Sequence, residues 1–261
     1  MLIADNLRIT SAAISRAVEK MDPDPIRELT RRCVAAGAEA VDINSGPLNR
    51  EPERKMTFLV ETVREVTNLP LLIDTANPEA MEAGLAADRK TTIINAFSLE
   101  PKKLEYILPL AVKYNCSIIG YLLYPNGHVP PDASERLVLA TELFNAAEAA
   151  GIDRDKLIID PIIVPVIWNN GNFQAMEVLS VIRELPELLG FPAKTIAALS
   201  NLTSGEGPSE KKRRIEKAYL PMLLAAGLDM LLLDFLREDV IETARTCRAI
   251  IKDTVFCWEC V

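Results

Sequence analysis

The sequence predicts a single (β/α)8 TIM barrel spanning residues 1–261. Three observations predict it. The length of 261 residues matches the roughly 250 that such a barrel usually needs as one unit. Eight short apolar runs, none with polar alternation, are separated by longer amphipathic stretches, as expected for parallel strands buried on both faces. Helix-type stretches end in Gly37, Gly151 and Gly227, and each glycine leads straight into the next apolar run. That step is the mark of repeated β/α units.

The elements follow in order. The first strand is Leu2–Ala4, and a helix opens at Pro25 and closes at Gly37, the usual helix punctuation. Ala40–Asn44, Leu71–Asp74, Thr92–Asn95 and Ser117–Tyr121 read as strands two to five. A helix from Ser134 to Ala150 precedes the sixth strand, Leu157–Asp160. Thr195–Ser200 is the seventh strand, Lys211 to Gly227 a helix, and Met230–Asp234 the eighth strand. The rival architecture is an open doubly wound sheet, but no Gly-x-Gly-x-x-Gly follows the first strand. No linker or low-complexity segment divides the chain, so one domain is expected.

Composition narrows the function. The net charge of -8 argues against a nucleic-acid partner, which demands dense Lys/Arg patches. The one basic run, Lys211-Lys212-Arg213-Arg214, reads as a solvated helix start; its sharper reading is attraction of an acidic ligand tail or partner. Five cysteines, an odd number in mostly apolar surroundings, do not suit a secreted disulfide framework. Cys257 and Cys260 form a lone Cys-x-x-Cys with no second pair to complete a zinc site. There is no signal-peptide pattern and no uncharged apolar run of about 18 residues, so no membrane association and a cytoplasmic location are expected. His128, the one histidine, lies in a Pro/Gly-rich loop and reads as a surface residue. No tightly bound metal is expected.

In barrels of this type, function sits at the C-terminal strand ends. Here those ends carry Asp42 and Asn44, Asp74, Asn95, Asp160, Ser200 and Asn201, and Asp234. The fifth, Gly120-Tyr121, breaks the pattern. Asp and Asn also start turns and cap helices, which accounts for any single position. As a set they exceed what strand composition gives, because both are disfavoured in strands. Inward Asp and Asn with no Lys, Arg or His among them suit a neutral heterocycle rich in N–H donors, such as a pterin.

The segments Ala36-Gly37-Ala38-Glu39-Ala40-Val41-Asp42-Ile43-Asn44-Ser45-Gly46-Pro47, Leu71-Leu72-Ile73-Asp74-Thr75, Ile93-Ile94-Asn95, Leu157-Ile158-Ile159-Asp160-Pro161, Leu199-Ser200-Asn201 and Ala226-Gly227-Leu228-Asp229 carry a resemblance. In order and spacing, over nearly the whole chain, they resemble the methyltetrahydrofolate:corrinoid protein methyltransferases. The resemblance implies a pterin-binding barrel, usually a homodimer. The substrate would be tetrahydrofolate or methyltetrahydrofolate, and the cobalamin would ride on a separate corrinoid protein. Asp74, Asn95 and Asp160 would hold the pterin, Asn201 would sit nearest N5, and Asp42 would lie at the floor. Asn201 and Asp160 are the expected catalytic residues; Ser200 joins the substrate-binding set.

Two departures stand out. The family often has Gly-Glu-Arg-x-Asn after the first strand; here Asp5-Asn6-Leu7-Arg8-Ile9-Thr10 keeps only the Arg. The segment Thr203-Ser204-Gly205-Glu206-Gly207-Pro208 is also its own. The related dihydropteroate synthases usually carry Ser-x-Arg-x-His near the end, where this chain has Leu231-Leu232-Leu233-Asp234-Phe235-Leu236. The expectation is methyl transfer between folate N5 and corrinoid cobalt, as in O-demethylation or acetyl-CoA pathways. The alternatives are a non-catalytic folate-binding subunit and, less favoured, a dihydropteroate-synthase-like enzyme.

Overall fold

The computed structural model describes residues 1–88, 90–251 and 258. Its elements run β1 (Leu2–Arg8), α1 (Ala12–Lys20), α2 (Asp24–Ala35), β2 (Ala40–Asn44), α3 (Pro52–Arg64), β3 (Leu71–Asp74), α4 (Pro78–Ala87), β4 (Thr92–Phe97), α5 (Pro101–Tyr106), α6 (Leu108–Tyr114), β5 (Ser117–Tyr121), α7 (Ala133–Ala149), β6 (Leu157–Asp160), α8 (Gly171–Leu189), β7 (Lys194–Ala198), α9 (Ser209–Ala226), β8 (Met230–Leu233) and α10 (Glu238–Ile251). The strands pair in sequence order, all parallel, and close into a barrel where Leu2 of β1 meets Leu231 of β8. This is the (β/α)8 barrel that the apolar runs predict.

Two layers make the core. Ile3, Ala40, Leu72, Ile93, Ile119, Ile158, Ile196 and Met230 fill the barrel interior. Alternate strand residues, such as Val41, Ile43, Leu71, Ile73 and Ile94, point outward to the helices. Both faces are therefore apolar, which is why the strands lack alternation. The predicted glycine punctuation corresponds to left-handed backbone at Gly37, Gly151 and Gly227, where φ is 81°, 88° and 104°; this is the conformation that ends helices at low cost. At the other ends, Asn77 caps α4 and Asp132 caps α7 by accepting backbone N–H bonds.

Four strands are bounded differently from the sequence reading, among them β4, which runs on past Asn95 to Phe97. β1 continues past Ala4 to Arg8, because Leu7 and Arg8 pair with Ile43 and Asn44 after a register irregularity. β7 stops at Ala198, so Ser200 and Asn201 do not end a strand. They lie in a 3-10 turn, Leu199–Thr203, where Ser and Asn compete well for backbone bonds. β8 stops at Leu233, leaving Asp234 just beyond it.

The basic run sits on the first turns of α9, with Lys211, Arg213 and Arg214 exposed. Lys212 bonds the Gly205 carbonyl and Arg214 pairs with Glu210. His128 is exposed in its loop. Cys33, Cys116 and Cys247 are free thiols, and Cys257 and Cys260 lie outside the described residues. Among the described residues, no helix is long and apolar enough to cross a membrane. Likewise, no group of three or more His, Cys, Asp or Glu residues there could hold a metal ion.

Candidate functional site

Side chains alternate along a strand, so a residue two positions beyond an interior residue also faces inward, one layer higher. Stepping two residues up from Ile3, Ala40, Leu72, Ile93, Ile119 and Ile158 reaches Asp5, Asp42, Asp74, Asn95, Tyr121 and Asp160. These residues line the C-terminal mouth of the barrel. Four of the predicted residues, Asp42, Asp74, Asn95 and Asp160, are therefore gathered on one inner face.

Hydrogen bonds tie the set together. Asn95 donates from Nδ2 to Asp42 Oδ1 at 3.2 Å. Tyr121 donates its hydroxyl to Asn95 Oδ1 at 2.7 Å. Asn44 donates to the Asp74 carboxylate. Ser200 Oγ donates to Asp5 Oδ2 at 3.4 Å, and Asp5 pairs with Arg8 at 3.3 Å. Asn6 donates to Asp234 Oδ1 and accepts the Phe235 N–H at 2.8 Å, so Asp234 serves to latch β1 to the end of β8. The Asn201 side-chain amide, half-buried, makes no hydrogen bond to another described residue.

Asp160 carries a second load. Its Oδ1 accepts the N–H of Ile162 at 2.8 Å. Ile162 has φ of 63°, a left-handed conformation that a β-branched residue adopts only under strain. The carboxylate thus braces the turn that follows it.

Asp5, Asp42, Asp74 and Asp160 share one low-dielectric space, and each of these four is pushed up toward neutrality. Burial raises Asp5 to about 6, opposed by Arg8 and the Ser200 hydroxyl. Burial, then the neighbouring Asp5, raises Asp74 to about 7, while Lys103 pulls it down. Asp160 rises to about 7 through burial, against the Ile162 N–H and the Arg136 charge. Asp42 is raised well above the usual range by burial and by Asp74 and Asp5. Burial and the surrounding acids also hold the Tyr121 phenol high, so it stays a protonated donor. Lys103, from α5, lies over the Tyr121 ring at 5.5 Å.

Sequence reasoning missed Asp5, Asn6, Tyr121 and Lys103. The period-two rule applied upward from Ile3 and Ile119 finds Asp5 and Tyr121. No strand pattern finds Lys103, which reaches the mouth from a helix.

A parallel (β/α)8 barrel with a mouth of buried carboxylates and amides defines the class, a barrel whose site is built to receive hydrogen-bond donors. The family model for pterin binding enzymes matches residues 6–234, and the chain belongs to that family. It is similar to a methylcorrinoid:tetrahydrofolate methyltransferase of Eubacterium limosum, 20% identical over 98% of this chain and 93% of that protein. Among solved structures, it resembles a Xanthomonas albilineans dihydropteroate synthase in complex with indole-2-carboxylic acid and 6-chloroguanine. That likeness has a TM-score of 0.69 at 20% identity, covering 97% of this chain and 93% of that one. The Yersinia pestis dihydropteroate synthase with a sulfonamide drug gives a TM-score of 0.68 at 15% identity, over 96% of this chain and 93% of that one. These structural likenesses establish the fold.

Proposed function

We propose that this chain is a methyltransferase that moves a methyl group between N5 of tetrahydrofolate and the cobalt of a corrinoid on a separate protein. The observation that carries the reading is the Asn201 amide, which makes no hydrogen bond to another described residue and directly follows Ser200, whose hydroxyl reaches Asp5 of the mouth. Asp74, Asn95 and Asp160 supply acceptors for the amino and ring N–H groups of a pterin. The relation to the Eubacterium limosum enzyme favours methyl transfer. The β8 end favours it over pterin condensation, since Asp234 is committed to Asn6 and stands where the synthases usually have Arg and His.

A methyl group leaves N5 reluctantly, because the departing nitrogen is a poor leaving group unless it gains positive character. An amide donates to N5 through Nδ2 or accepts from a protonated N5 through Oδ1. Asn201 therefore serves either direction of transfer, by stabilising charge as it develops. The corrinoid, when docked, supplies the nucleophilic or methyl-bearing cobalt. Exposed Ile167 and Trp168 flank the Asn201 turn, because Val166 N–H bonds Leu202 O at 2.9 Å, and they offer the corrinoid protein an apolar surface. A cytoplasmic homodimer belongs to the same reading; exposed Ile215, Ala218, Met222 and Ala225 make an apolar line along α9 for it.

The test mixes the protein with 5-methyltetrahydrofolate and reduced cobalamin and follows the corrinoid absorbance. Wild type is expected to convert the corrinoid. Asn201→Ala is expected to turn over about 10- to 1000-fold more slowly, as for a lost transition-state donor, with smaller change in tetrahydrofolate binding. Unchanged turnover in that variant removes the assignment. Folate binding with no conversion by wild type favours a non-catalytic folate-binding subunit.

A further inference from the structure

The fifth strand carries no Asp or Asn, yet its last residue is hydrogen-bonded into the mouth. Tyr121 ends β5, opposite Asp160 in the register. Its hydroxyl meets Asn95 Oδ1 at 2.7 Å, and the other end of that amide meets Asp42 at 3.2 Å. Asn95 and Asp42 are 3% and 2% exposed and Tyr121 is half-buried, so little water competes for the bonds between them.

A carboxamide has nearly the same shape with its oxygen and nitrogen exchanged, and only its partners decide which way it points. Asp42 decides weakly. A carboxylate there demands the NH2 end, but a neutral acid is able to donate to the oxygen end instead, and burial drives Asp42 toward the neutral form. A phenol is a far better donor than acceptor, since its lone pair is shared with the ring. Burial, and then the four acids around Tyr121, disfavour its ionisation, which keeps the proton in place. Lys103 covers the face of the ring from the rim and holds it where it stands. The decision therefore rests with Tyr121.

With Oδ1 turned to Tyr121 and one Nδ2 hydrogen given to Asp42, Asn95 has one N–H and one lone pair left. These two form a donor–acceptor edge of fixed polarity. We infer that Tyr121 is a positioning residue that fixes the Asn95 amide, so that its remaining donor and acceptor meet a pterin edge in one orientation. This inference rests on the pterin reading of the mouth. Tyr121 acts through Asn95 and does not itself touch the ligand.

A double-mutant cycle tests it, with tetrahydrofolate titrated calorimetrically into wild type, Tyr121→Phe, Asn95→Ala and the double variant. Tyr121→Phe removes one hydroxyl and keeps the ring under Lys103. It is expected to weaken tetrahydrofolate binding about 5- to 10-fold, the scale of one hydrogen bond. In the Asn95→Ala background the same change is expected to alter affinity less than about twofold, because coupled residues are non-additive. Equal losses in both backgrounds overturn the inference, and so does wild-type affinity in Tyr121→Phe. If Tyr121→Phe yields no folded protein, the cycle run with Tyr121→Leu is held to the same two outcomes. Failure of wild type to bind tetrahydrofolate removes the pterin reading and this inference together, and is seen before any variant is made.

Discussion

Asp160 shows how one side chain holds a turn and faces a ligand at once. One carboxylate oxygen accepts the N–H of the strained Ile162; the other is left for the mouth. The two roles separate by substitution. Asp160→Asn keeps an oxygen for Ile162 and loses the charge, so it is expected to melt at or above wild type while losing tetrahydrofolate affinity. Asp160→Ala loses both, and its stability is expected to fall by about 1–2 kcal/mol, the scale of one hydrogen bond. Thermal melts and titration check this; wild-type affinity in Asp160→Asn removes Asp160 from the ligand set. At this scale the sequence was informative about half the mouth. Asp42, Asp74, Asn95 and Asp160 are acidic or amide residues in apolar runs, which draws attention to them. Asp5 escapes because its strand looks finished at Ala4, and Tyr121 escapes because an aromatic residue is ordinary in a strand.

Among the elements, β1 is the one the sequence misjudged most, and its polar second half gives the reason. Asp5, Asn6 and Arg8 would end a strand elsewhere. Here Leu7 and Arg8 resume pairing with β2 after an irregularity, and Asn6 fastens the strand to Asp234 and Phe235 at the barrel seam. The pairing is long-range, so no local pattern announces it. The seventh strand errs in the opposite sense: Leu199 extends the apolar run, but the chain turns at Ser200 and Asn201. The seam makes a prediction. Asn6→Ala deletes a donor and an acceptor that join the first and last strands. It is expected to destabilise the fold by about 1–3 kcal/mol, measured as a lower urea midpoint. An unchanged midpoint shows that β1 and β8 hold without this latch.

At the scale of the whole molecule, the acids of the mouth set stability against binding. Asp5 titrates at about 6 and Asp74 and Asp160 at about 7, whereas a carboxyl in an unfolded chain titrates near 4. Between about pH 4 and 7 the folded protein therefore holds protons that the unfolded chain has released. Stability falls with rising pH wherever the native state binds more protons. The contribution is fully present below about pH 4 and is lost as pH climbs through 6 and 7. Ligand binding runs the other way, because a ring rich in N–H donors is held best by ionised acceptors. The unliganded protein is expected to melt higher at pH 5 than at pH 8, and tetrahydrofolate affinity is expected to rise over the same range. The increase in melting temperature on adding a fixed excess of ligand then grows with pH, since stabilisation follows the ratio of ligand to Kd. Asp42→Asn, close in shape to the neutral acid, removes one buried titration and should make the fall in stability shallower. A melting temperature that rises steadily from pH 5 to pH 8 contradicts the buried-proton account. An affinity flat over that range contradicts recognition by carboxylates, because the same protons that steady the empty barrel must leave for the ligand to be held.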